Sequence, residues 1–180
     1  IDISHPAPSS DSDISIVAVV ASADDVPSRY FKEVYQQQRP ARVRGESREY
    51  VVSLKEIMMS LINQYAQHRK YPPSTIVIYR DGISEGEFSS VFEEELSAIR
   101  EACVQLSPVY RPHLTYIVVN KRHRTRFFPT DSSASNVLAG TVVDSNDITS
   151  ETGYDFYLNS HHGALVRISF VVNKVLVFHI

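Results

Sequence analysis

Apolar positions along this chain follow two rhythms. The first is short and β-branched. "SIVAVVAS" (Ser15–Ser22) is too brief and too valine-rich for a helix and is predicted as a strand. "RYFKEVYQQQ" (Arg29–Gln38) alternates in part and follows Pro27, so it reads as a neighbouring, more exposed strand, with the basic loop "RPARVRGES" after it. The second rhythm is helical. From Arg48 to Lys70, Leu54, Ile57, Met58, Leu61, Ile62 and Tyr65 recur at three- and four-residue steps until Pro72 and Pro73 stop the pattern. "STIVIY" (Ser74–Tyr79) is then a short buried strand. "SEGEF" offers Ser84 as an N-cap with Glu87 three residues on, and Phe88, Phe92, Leu96, Ile99 and Cys103 form the expected inward stripe of a second helix. "LTYIVVN" (Leu114–Asn120), "GTVVD" (Gly140–Asp144) and "YDFYLNS" (Tyr154–Ser160) are further strands, and the last residues, "VRISFVVNKVLVFHI", are apolar and β-prone.

Two or three strands, then helix, strand, helix, strand: this order predicts an α/β fold. Strand–helix–strand units favour parallel pairing through crossovers, so a meander followed by two such units gives a mixed sheet flanked by helices. The 180 residues, 43% hydrophobic and 22% charged, are about one domain's length, and no internal repeat or second domain is visible. A net charge of −3 says little about partners, because a balanced total can hide a local basic patch. The single cysteine, Cys103, excludes an intrachain disulfide and suits a reducing compartment. No apolar run approaches the ~20 residues that span a bilayer, so no membrane is expected and a cytoplasmic or nuclear location is.

The chemistry-bearing stretches sit at strand ends. "YRDG" closes a buried strand on Asp81 and turns on Gly82; "IDISHP" carries Asp2 at the start of the chain. If the first strand lies centrally, beside the strand ending at Tyr79, the two carboxylates come close together and need a cation between them. Two divalent ions ~4 Å apart can clamp the attacking and leaving oxygens of phosphoryl transfer, and magnesium suits such oxygen ligands. "KRHRTR" (Lys121–Arg126) follows another strand end and has the density of cations that neutralises a nucleic-acid backbone, although composition alone favours a solvated loop. Neither His5 nor the pair His161 and His162 has a defensible catalytic or metal-ligating spacing.

In order, "YPPSTIVIYRDGISEGEF", "ELSAIREAC", "YIVVNKRHRTRFFP" and "AGTVVD…DFYLNSHHGAL" resemble the Piwi domain of eukaryotic Argonaute proteins, and "IDISHPAP" is similar to the start of that domain's catalytic sheet. The resemblance covers residues 1–165 and leaves 166–180 as a divergent tail. It implies an RNase H-like mixed sheet flanked by helices, incomplete here, and a protein that binds a small guide RNA and its target RNA in gene silencing. It also implies a metal-dependent RNA endonuclease site: Asp2 and Asp81 as magnesium-binding carboxylates, Glu49 as the mobile glutamate near the first helix, and Lys121 and Arg122 as contacts to the guide backbone.

The chain departs from that pattern after "SHHGAL". The family's "GTSRP"-like run and its fourth catalytic residue, a histidine, are not found, and His179 does not stand in that motif. The chain also begins one residue before Asp2, so most of the strand that carries it is expected to lie upstream. Cleavage by this chain alone is therefore not expected, and the apolar tail is read first as read-through of untranslated sequence, with a strand patching an exposed edge as the alternative. Two other readings stay open. One is a non-cleaving module that binds RNA or docks tryptophan-bearing scaffold proteins near Leu106 and Tyr110. The other is an inactive truncated product.

Overall fold

The computed structural model describes the chain apart from residues 8–9, 11, 27, 39–49, 84–85, 122, 124, 131–136, 146–153, 162–171 and 180. The elements in order are β1 (Asp2–Ser4), β2 (Ile14–Ser22), β3 (Tyr30–Gln38), α1 (Leu54–Arg69), β4 (Thr75–Asp81), α2 (Phe88–Leu106), β5 (His113–Asn120), β6 (Val142–Val143), β7 (Tyr154–Asn159) and β8 (Val172–His179). They divide into two compact units, Ile1–Ile76 with Ile83–Leu114, and Val77–Gly82 with Thr115–Ile180.

The first unit holds an antiparallel sheet in the order β1-β2-β3 and the two long helices. Along β2 the pleat sends Ser15, Val17 and Val19 inward and leaves Ile14, Ile16 and Val20 exposed. With β-branched residues on both faces, the sequence cannot say which face is the core. Helix α1 buries Leu54, Ile57, Met58, Leu61 and Ile62, the stripe its spacing predicts. Burying each such side chain contributes about 1.5–3 kcal/mol. The helix ends at Lys70, a left-handed cap with φ 70° whose N–H bonds the Ala66 carbonyl. Glu33 on β3 ties it to the sheet by accepting from Ser60 Oγ and Gln64 Nε2.

Two helical expectations are corrected. Helix α1 begins at Leu54 rather than Arg48, because Tyr50 to Ser53 run into it as non-helical chain pinned by Gln37: its side-chain amide donates to the Tyr50 carbonyl, and its Oε1 accepts from Val52 N–H. Helix α2 begins at Phe88 with Glu87 as its flanking residue and, among the described residues, no side-chain cap bond; Ser84, the expected N-cap, lies outside the described residues. Its buried face is Val91, Glu95, Ile99, Ala102 and Cys103, rotated from the predicted stripe; Phe88 and Phe92 stack on each other half-buried, ring centroids 5.7 Å apart.

A second sheet has the order β4-β5-β8-β7-β6. Two bonds, from His113 N–H to the Ser74 carbonyl and from Gly82 N–H to the Val119 carbonyl, show that β4 and β5 run in the same direction. The β5–β8, β8–β7 and β7–β6 pairs are antiparallel, so this sheet is mixed, as expected. The buried side chains of the second unit include Ile78, Arg80, Tyr116, Val118, Tyr157 and Val175. The apolar tail is built in as β8, an interior strand paired to β5 through Thr115↔His179 to Asn120↔Lys174 and to β7 through Tyr154↔Val177 to Asn159↔Val172.

Candidate functional site

Parallel neighbours end at the same edge of a sheet, and open α/β sheets place ligand sites outside those carboxyl ends. Strand β4 ends on Asp81 and β5 on Asn120, with Lys121 next along the chain. Gly82 releases β4 from the ladder at φ 85°, a left-handed conformation that residues bearing a Cβ rarely adopt. At this rim Lys121 Nζ lies 2.5 Å from Asp81 Oδ2, with side-chain exposures of 60% and 35%. A predicted metal ligand and a predicted guide contact are thus bonded to each other.

The segment after Lys121 is not a plain solvated loop. His123 and Phe127 meet the ring of Tyr157 on β7 edge-on, with centroids 5.4 and 6.1 Å away, and Thr125 Oγ1 lies 3.4 Å from the Tyr157 hydroxyl. Residues 123, 125, 126 and 127 are all half-buried. Arg126 Nη1 donates to the carbonyls of His123 and Thr125. Tyr157 was not singled out by sequence reasoning, since its packing on this segment joins two elements far apart in the chain.

Asp2 stands exposed on β1, opposite Ala18 of β2. Among the described residues β1 pairs with β2, at one edge of the three-stranded sheet of the first unit. Glu49 and Arg122 lie outside the described residues. His5 Nδ1 lies 2.8 Å from the hydroxyl of the fully buried Ser15. Tyr110, expected near a tryptophan-docking surface, donates its hydroxyl to the Pro73 carbonyl at 2.7 Å. Burial, then the neighbouring Cys103 and Tyr65, raise its phenol above the ordinary range.

Asp81 is a hard oxygen donor of the kind magnesium takes. Among the described residues, however, no three His, Cys, Asp or Glu side chains are grouped to hold a metal ion. The described donors alone therefore do not make a metal cage. No helix among them is long and apolar enough to cross a membrane.

Comparison with known proteins places this rim in context. The profile of the Piwi domain matches residues 1–175. The C-terminal lobe of a budding yeast Argonaute is similar in structure over 97% of this chain and 36% of its own, with 26% identity and a TM-score of 0.78. Kluyveromyces polysporus Argonaute, solved with a guide RNA, matches over 97% of this chain and 22% of its own at 28% identity and a TM-score of 0.77. Drosophila Piwi matches over 98% and 22% at 29% identity and a TM-score of 0.75. The chain thus spans between about a fifth and just over a third of these relatives' lengths. With the RNase H-like architecture these likenesses carry and a profile match over nearly its whole length, the chain belongs to the Piwi domain family.

Proposed function

We propose that this chain is the guide-holding part of an Argonaute-like silencing protein, and that it binds the sugar–phosphate backbone of a small RNA along the rim formed by the ends of β4 and β5. The observation that carries the reading is the rim itself: an exposed ammonium, Lys121, stands beside a strand-end carboxylate where the parallel strands finish. A relative of similar structure was solved with a guide RNA. Lys121, with Arg122 beside it in sequence, supplies cations for the phosphates, and the packing of His123, Thr125 and Phe127 around Tyr157 holds that segment in place.

Metal-dependent cleavage is the finer, inherited possibility. In that reading, which rests on the family resemblance, Asp2 and Asp81 would hold magnesium with Glu49 as a further catalytic residue, and the ion would supply the Lewis acidity for phosphodiester hydrolysis. Binding is the activity proposed for this chain, and Glu49 lies outside the described residues. Fluorescence anisotropy with a labelled single-stranded oligoribonucleotide tests this. Saturable binding that weakens steeply with salt and is reduced in Lys121→Met is the expected result. Binding indifferent to salt and to Lys121 would refute the reading, and magnesium-dependent cutting lost in Asp81→Ala would correct it towards a competent nuclease.

A further inference from the structure

Family likeness gives Asp81 and Lys121 separate tasks, one toward a cation and one toward RNA phosphate. Their geometry makes the tasks compete. The ammonium lies 2.5 Å from Asp81 Oδ2, so it already neutralises that carboxylate. Asp81 is held in position by the end of β4 and the turn at Gly82, whereas Lys121 is the more exposed partner and rides on a flexible four-carbon stem. An exposed pair of this kind is weak and exchangeable.

We propose that Lys121 is an exchangeable counter-cation for Asp81: it occupies the carboxylate while the rim is empty, and a phosphodiester of bound RNA draws it away, leaving Asp81 open to another cation. The proposal rests on the RNA-binding reading above and adds a coupling to it. A phosphate brought to Lys121 must compete with the Asp81 carboxylate for the same ammonium. Removing the carboxylate's charge should therefore tighten RNA binding, and should do so through Lys121.

A double-mutant cycle isolates that route. Affinity for the labelled oligoribonucleotide is measured in EDTA at low salt for the native chain, Asp81→Asn, Lys121→Met and the double variant, with melts of each confirming folding. Asp81→Asn is expected to tighten binding by about two- to five-fold when Lys121 is present, the range of an exposed ion pair. In the Lys121→Met background the same substitution should change affinity far less. Lys121→Arg should restore the coupling, and Lys121→Gln repeats the cycle should the methionine variant fold poorly. Equal gains in both backgrounds would reduce the effect to general charge repulsion and overturn the proposal, as would weaker binding by Asp81→Asn. No RNA binding by the native chain would instead defeat the functional reading itself, and the coupling with it.

Discussion

Glu95 and Asp81 are carboxylates in opposite circumstances. Glu95 lies in the middle of α2 at 1% exposure and accepts a hydrogen bond from Val51 N–H at 3.2 Å, just before α1 begins. Asp81 lies at a strand end, a third exposed, against a lysine that is more exposed still. The first satisfies a backbone donor that has no water to turn to, so its contribution is to stability. The second has water and several possible cations within reach, so little of the fold depends on it and its charge is available for chemistry. Between these two, burial and not the presence of a partner decides how much the fold depends on the carboxylate.

The largest expected effect follows from Glu95. Replacing it with alanine leaves Val51 N–H without its acceptor and opens a cavity between α2 and the entry to α1, so unfolding free energy should fall by roughly 2–4 kcal/mol. Glu95→Gln keeps a carbonyl acceptor and should cost clearly less. Urea titrations of both variants measure this, and an alanine variant as stable as the native chain would erase the contrast with Asp81.

Glu95 also shows why part of the fold was hard to read. The apolar stripe of α1 is legible because every member is apolar and the period is clean. In α2 the buried face runs through a glutamate, while two phenylalanines at Phe88 and Phe92 advertise a neighbouring face that is only half covered. Polarity at one position rotated the reading. Strand ends were legible at Asp81 and Lys121, and parallel order follows from the strand–helix–strand pattern. That their side chains bond to each other depends on two elements 40 residues apart and was not drawn from either motif. The interior place of β8 was likewise hidden, because an inserted strand is fixed by its pairing with β5 and β7 and not by anything in its own apolar sequence.

Gly82 comes next in size. Its φ of 85° sits in the left-handed region, and no atom stands within 4 Å of where a Cβ would go. Gly82→Ala should therefore lose about 1–2 kcal/mol through backbone strain alone. Since this turn sets where Asp81 points, the variant should also blunt the coupling to Lys121. Strain with the coupling intact would mean that Asp81 is positioned by something other than its turn.

Tyr110 is the intermediate case, a half-buried polar group whose hydroxyl bonds a backbone carbonyl. Tyr110→Phe should cost about 1 kcal/mol. Its pH dependence has a definite sign. Burial raises the phenol's pKa in the folded chain, so the folded state holds that proton more tightly than the unfolded one. The contribution is complete below the ordinary tyrosine pKa of about 10 and is lost as pH rises from there toward the raised folded value. Thermal melts from neutral to strongly alkaline pH should fall less steeply above about pH 10 in the phenylalanine variant, and parallel curves would assign the alkaline loss to other groups.

The smallest stability effect belongs to the residue with the most chemistry. Asp81→Asn removes one exposed ion pair and leaves an isosteric side chain at a strand end that water already reaches, so the change in unfolding free energy should stay within about 0.5 kcal/mol. Lys121→Met should be equally mild, because its stem is exposed and its ammonium has solvent as an alternative partner. Read beside Glu95→Ala in the same urea series, the two variants give the comparison its sharpest form. A loss of about 2 kcal/mol or more at Asp81 would make it a structural carboxylate like Glu95, and an ammonium needed to hold the sheet's rim together could not be lent to a phosphate.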